Sequence, residues 1–156
     1  MTDTQDPPAA LSEAIHRSAQ DLPFVDIGDG NKLKVVQVDR DEGLWVVENI
    51  FQAGYSVPKH RHTGPVYAFT TRGAWHYKEY EYVNRAGSFL FEPAGSVHTL
   101  ECLEDDTHVW FVMYGANLNL DADGNIESVF DGPGTLEAYL MLAEAEGLGR
   151  PPVVLT

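Results

Sequence analysis

His60 and His62 stand on either side of Arg61. On a strand, the two-residue side-chain period turns both imidazoles to one face and Arg61 to the other, so the pair can share one metal ion. Two imidazoles are an incomplete set, because a metal held inside a fold needs at least a third ligand. His98 is the candidate. It follows the turn Pro93-Ala94-Gly95 at the start of another strand, and it has to lie across the barrel from the pair to complete the set. His16, His76 and His108 have no partner at ligand spacing and read as solvent-facing or structural. A Gly-x-Ser-x-Gly elbow and the Gly-rich phosphate-binding signatures are absent, which leaves hydrolase and nucleotide chemistry without support.

Short segments rich in β-branched and aromatic residues must position these side chains. They run over 34–38, 44–51, 66–71, 75–82, 88–92, 98–103 and 108–114, separated by Gly, Asp, Asn and Pro turns such as Asp29-Gly30-Asn31 and Asn84-Arg85-Ala86-Gly87. Many short strands at near-regular spacing predict an all-β fold, an antiparallel sandwich or small barrel, over residues 33–130. A further hairpin is expected around Asp121 to Asn125. The spacing of Leu11, Ile15 and Ala19 predicts an N-terminal helical arm within 1–22. Thr135 as N-cap and Gly147 as terminator frame a C-terminal helix over 135–147. One domain spanning 1–156 is expected.

Alternation from Gly73 places Trp75, Tyr77 and Glu79 on one face of their strand. If that face is inward, the rings wall an aromatic substrate pocket, and Glu79 is available as a base beyond the metal ligands. Trp110 and Tyr114 share a face of a later strand and could extend the wall. Each ring could equally be filling a core. Cys102 reads as a small buried hydrophobe.

Composition removes whole classes of partner. The 156 residues carry 10 Lys+Arg against 24 Asp+Glu, a formal net charge of -14, so a nucleic acid or anionic membrane has no cationic surface to meet. The apolar runs fall far short of the ~20 residues that span a bilayer. The N-terminus lacks the pattern of a secretory signal, and a single cysteine is consistent with a reducing compartment, so a cytoplasmic location is expected.

Laid out in full, the spacing carries more information than the histidines themselves. Gly54-x5-His60-x-His62-x3-Val66-x6-Gly73 and Gly87-x5-Pro93-x-Gly95-x2-His98 resemble the two signature motifs of the cupin family, over about 45 contiguous residues. The resemblance implies a jelly-roll β-barrel with metal ligands at His60, His62 and His98. It also exposes two departures. Val66 stands where the family has a glutamate that often ligates the metal, and Cys102 stands where it has an asparagine.

Within the cupins, the segments 60–65, 84–88, 92–100 and 115–121 and the C-terminal helix are similar to the 2,4'-dihydroxyacetophenone dioxygenases. The acetylacetone-cleaving β-diketone dioxygenases are more distantly similar. This likeness implies a non-haem Fe(II)-dependent dioxygenase with ferrous iron, Fe(2+), as cofactor. Its partners would be a small-molecule ketone and dioxygen, and it would cleave the C–C bond beside the carbonyl of an aromatic α-hydroxyketone to give a benzoate and formate. Zinc, nickel or copper would bind three imidazoles at least as tightly. A non-catalytic metal- or ligand-sensing cupin, like the zinc-binding domain of an anti-sigma factor, is the rival reading. Without the glutamate at 66, three neutral ligands leave a dication uncompensated, a condition that favours an anionic enolate chelate. Cupin barrels expose sheet edges, so a homodimer is expected.

Overall fold

The structure, a computed structural model, describes residues 13–156. Its strands are β1 (Val25–Gly28), β2 (Asn31–Asp39), β3 (Leu44–Phe51), β4 (Ser56–His62), β5 (Val66–Arg72), β6 (Ala74–Tyr77) and β7 (Asn84–Arg85). They continue with β8 (Phe89–Glu92), β9 (Val97–Cys102), β10 (Thr107–Tyr114), β11 (Ala116–Leu120) and β12 (Ile126–Asp131). Helix α1 (Gly132–Ala145) and β13 (Val154–Leu155) close the chain. One sheet has the order β1-β2-β3-β10-β5-β8, with β13 beside β2. The other runs β12-β11-β4-β9-β6-β7. All neighbours are antiparallel except β13 and β2. Two facing antiparallel sheets of this kind are the expected jelly roll.

Alternation builds the core. Along β10, Thr107, Val109, Phe111 and Met113 are buried while the residues between them are not. Val109, Phe111 and Met113 meet Val47 and Phe51 of β3, Val66 and Ala68 of β5, and Trp75, Tyr77 and Leu100 of the opposite sheet in one apolar cluster. The four glycines of the two motifs, Gly54, Gly73, Gly87 and Gly95, all sit at positive φ, which explains why their spacing is as informative as that of the histidines. Gly73 is the tightest of them. A Cβ there would lie 2.2 Å from Thr107 Oγ1 and 2.7 Å from Thr107 Cα. Gly73→Ala is therefore expected to lower unfolding stability by about 2–4 kcal/mol, combining left-handed strain with displacement of a fully buried strand end. Urea denaturation measures the loss.

Three expectations need correction. The N-terminal helix is the first. Its part before residue 13 lies outside the described residues, and residues 13–19 are not helical. The Ser18 N–H donates to the Asp21 carboxylate (2.7 Å), closing a local turn, and Arg17 donates to the Pro152 carbonyl (2.6 Å), tying the segment across the surface. Second, the strand predicted over 75–82 ends at Tyr77. The Tyr80 N–H turns back to the Tyr77 carbonyl, and the Tyr80 and Tyr82 rings stack on each other outside. Third, α1 begins three residues before Thr135. Asp131 is the N-cap, its carboxylate accepting from the Gly134 N–H (2.8 Å), and Gly132 lies so close to Trp45 that a Cβ would crowd it. Gly147, at φ 74, ends the helix as expected.

Candidate metal centre

His60 and His62 are buried and Arg61 is exposed, so β4 delivers both imidazoles inward. An irregularity in the β4–β9 pairing between Val57 and His60 surrounds Pro58, which has no N–H to give to a ladder. The bulge turns the Pro58 carbonyl onto the imidazole: His60 Nδ1 lies 2.8 Å from it. His98 comes from the neighbouring strand rather than from across the barrel, directly opposite His60 in the β4–β9 ladder. The three ring centroids form a near-equilateral triangle with sides of 4.8, 4.8 and 4.9 Å. One nitrogen from each ring lies within 4.8 Å of the other two.

Hydrogen bonds on the far side of the rings choose the tautomers. His62 Nδ1 is 2.6 Å from Asn117 Oδ1, so its N–H points outward, and His60 Nδ1 donates likewise to Pro58. Both Nε2 lone pairs are then free to face the centre. Burial pushes the His60 imidazole below its ordinary range. Burial, together with the neighbouring His60 and His62, pushes His98 down to about 2. Burial thus keeps His60 and His98 neutral and ligand-ready.

A residue given no role by the sequence reading completes the picture. Glu92, on β8, is 3% exposed, and its Oε2 lies 3.1 Å from His62 Nε2. Its Oε1 is 3.7 Å from His98 Nε2 and accepts a hydrogen bond from the Tyr77 hydroxyl. Burial, then the carboxylate beside it, drives the Tyr77 hydroxyl pKa well up, so Tyr77 is a fixed donor. Its ring also stacks on His98 at 3.7 Å. Glu92 is the cross-strand partner of Val66 in the β5–β8 ladder. The carboxylate missing at 66 is thus supplied from the strand alongside, which overturns the expectation of a cation with no acidic neighbour.

The donor set fits a divalent cation. Among the described residues Glu92 Oε2 is buried without a hydrogen-bond partner, and His62 Nε2 and His98 Nε2 approach to 2.9 Å. Bare lone pairs and an unpaired carboxylate oxygen crowded into one buried space are costly unless a cation neutralises them. Asn117→Leu should leave the three rings in place but release the His62 tautomer, lowering metal affinity about 10–100-fold in chelator competition.

His60 and His62 also line a cavity of about 290 Å³ between the two sheets. Its walls include Phe51, Tyr55, Trp45, Phe111 and Met113, and among the described residues no lysine, arginine, aspartate or glutamate. Of the expected wall residues, Tyr77 lines it. Trp75 lies beneath, fully buried, its indole N–H on Thr70 Oγ1 (2.8 Å) and its ring edge-on to Tyr77 and Phe111. Trp110 and Tyr114 are on the outer face of β10, where Trp110 pairs with Glu48 and Phe69. Glu79 is exposed beyond the end of β6 and its carboxylate accepts from the Thr99 N–H (2.8 Å). Partial burial raises its carboxyl pKa, but the bonds from Thr99 outweigh this and hold it low, so it is a structural cap rather than a base at the cavity. Cys102 is buried, with Sγ directed at the Glu104 carbonyl.

Comparison with known proteins accords with this architecture. No curated protein sequence matches the chain. An RmlC-like cupin protein from Ralstonia eutropha is 28% identical, with a TM-score of 0.84 over 95% of this chain and 98% of that one. An acetylacetone dioxygenase from Acinetobacter johnsonii shares the fold at 20% identity, with a TM-score of 0.72 over 83% and 92% of the two chains. The structure of Rhodobacter sphaeroides SigE in complex with the anti-sigma ChrR is similar at 19% identity and a TM-score of 0.52, over 71% and 61%. The model of the ChrR cupin-like domain matches residues 12–117, more than half of the sequence, and the chain belongs to that cupin family.

Proposed function

We propose that this cupin is a non-haem iron dioxygenase that cleaves the C–C bond beside the carbonyl of an aromatic α-hydroxyketone. The observation that carries the reading is a buried three-imidazole cluster opening into an aromatic-walled cavity that has no charged side chain among the described residues. His60, His62 and His98 would hold the metal, with Glu92 balancing part of its charge. When bound, ferrous iron supplies a Lewis-acidic and redox-active centre for a chelating ketone and dioxygen.

The chain's own residues do the rest. Asn117 and the Pro58 carbonyl keep the imidazole protons outward, and Tyr77 keeps Glu92 in place beside His62. The ring of the substrate packs among Phe51, Tyr55 and Phe111, where apolar walls exclude bulk water from the cleavage. The overall change balances as ketone plus dioxygen giving one benzoate and one formate. Similarity to an acetylacetone dioxygenase supports a C–C-cleaving activity and keeps β-diketones as the alternative substrate class.

A second reading follows from the family itself. A domain similar to that of an anti-sigma factor in complex with its sigma factor could sense a metal or ligand without turnover. Mixing anaerobic Fe(II)-loaded protein with 2,4'-dihydroxyacetophenone and then admitting oxygen separates the two. The dioxygenase consumes one oxygen per ketone and releases formate and a benzoate in equal amounts. Binding of the ketone with no oxygen uptake would instead leave the sensor.

A further inference from the structure

Alternation that buries Val66 and Ala68 of β5 and Glu92 of β8 turns Tyr67, Phe69, Phe89 and Phe91 to the outer side of the same sheet. Phe69, Phe89 and Phe91 are 44%, 59% and 49% exposed. The rings gather rather than scatter: centroids lie 5.4 Å apart for Tyr67 and Phe91, 5.5 Å for Phe69 and Phe89, and 6.4 Å for Tyr67 and Phe89. The ladders carry the patch inward from this edge of the sheet. Trp110 of β10 stands opposite Phe69, Val112 opposite Tyr67, and Val46 of β3 opposite Val112. The one charged side chain on these two rungs is Glu48, opposite Trp110, and Lys34 neutralises it (3.3 Å). Single exposed rings are ordinary, but five contiguous ones on a neutral face mark a surface made for contact.

We propose that a second copy of the chain docks on this face, the two sheets stacked across a two-fold axis with Phe89 and Phe91 of each copy at the centre. The contact is through a sheet face, not through the edges from which a dimer was expected. Charge favours this occupant. Two chains of net charge -14 repel wherever their acids meet, and this face brings no unpaired acid to the contact. A two-fold axis also makes the face its own complement, rings against rings. The area is suitable: half-exposed phenylalanines at ~200 Å² each, with smaller parts of Tyr67 and Trp110, offer roughly 400 Å² per copy. That is about half of the ~800 Å² each partner of a stable complex buries, the apolar share such an interface carries. Residues 1–12 suit the place poorly, because Met1 and Leu11 are their only large apolar side chains. The segment after them is tied through Arg17 to Pro152, near β13 at the other end of the sheet.

Sedimentation equilibrium of the full chain tests the proposal. At about 100 μM, above the Kd of a standard-size interface, the wild type should sediment at twice the 17.3 kDa of one chain. Phe89→Glu brings two like charges to the centre of the contact and should raise the dimer dissociation constant at least about 100-fold. Val129→Glu, at a site 57% exposed on β12 of the other sheet, should leave it unchanged. A monomeric wild type, a Phe89→Glu dimer as tight as the wild type, or a dimer weakened as much by Val129→Glu overturns the proposal. Hydroxyl-radical footprinting of the wild-type dimer decides the matter even if Phe89→Glu does not fold. Phe89 and Phe91 should oxidise severalfold more slowly than Phe130, which is 50% exposed in one chain and lies outside the contact. Equal oxidation of the three overturns it.

Discussion

Replacing His98 with alanine is expected to strip the centre of metal: after dialysis, elemental analysis should find the wild type near one ion per chain and the variant near background. Each of the three rings is one vertex of a triangle of nearly equal sides, so removing one leaves only two imidazoles and a displaced carboxylate. A two-histidine remnant does not make the closed ligand set that retains a divalent ion. His108→Ala is the control, because His108 is engaged with Asp106 (2.9 Å) outside the cluster, and its metal content should match the wild type. Loss of the ring also leaves a hole against Tyr77, since His98 is 1% exposed and stacked there, so the metal-free variant should unfold about 2–4 kcal/mol more easily. Metal retention at the wild-type level would show that His98 is not a ligand.

The histidine cluster was legible in the sequence because it rests on local rules. Side-chain alternation brings His60 and His62 to one face whatever the rest of the chain does, and the glycine spacing that accompanies them reflects backbone angles other residues resist. What the sequence did not disclose lies in pairings between strands. Both faces of β10 are apolar, so alternation alone could not say whether Trp110 and Tyr114 or Phe111 and Met113 point inward. The ladder decides it, because Trp110 is opposite the charged Glu48. Glu79 was misplaced for a different reason. Its run of aromatic neighbours reads as strand, but a turn at Tyr77–Tyr80 ends the alternation two residues too soon. Glu92 stands in plain view before Pro93, yet its role depends on β8 lying beside β5, which pairs it with Val66, 26 positions away.

That contact leads to the prediction with the strongest internal check. Glu92→Val should weaken metal binding about 10–100-fold, because the buried carboxylate beside His62 is lost and the Tyr77 hydroxyl is left without its acceptor. Val66→Glu in the wild-type background should also be damaging. Val66 is 1% exposed and directly opposite Glu92, so the change buries two carboxylates side by side, and about 3–5 kcal/mol of stability should disappear in metal-free protein. The two changes together exchange the residues across one rung of the ladder. Charge and volume in the core are then conserved, and the acid moves to the position the cupin motif ordinarily gives it. If proximity to the triad is what matters, the double variant should recover most of the metal affinity lost in Glu92→Val and most of the stability lost in Val66→Glu. Such strong non-additivity is the signature of groups that share one site. A double variant whose losses simply sum would mean that the carboxylate acts through Tyr77 and the packing of β8, and not through its charge beside the cation.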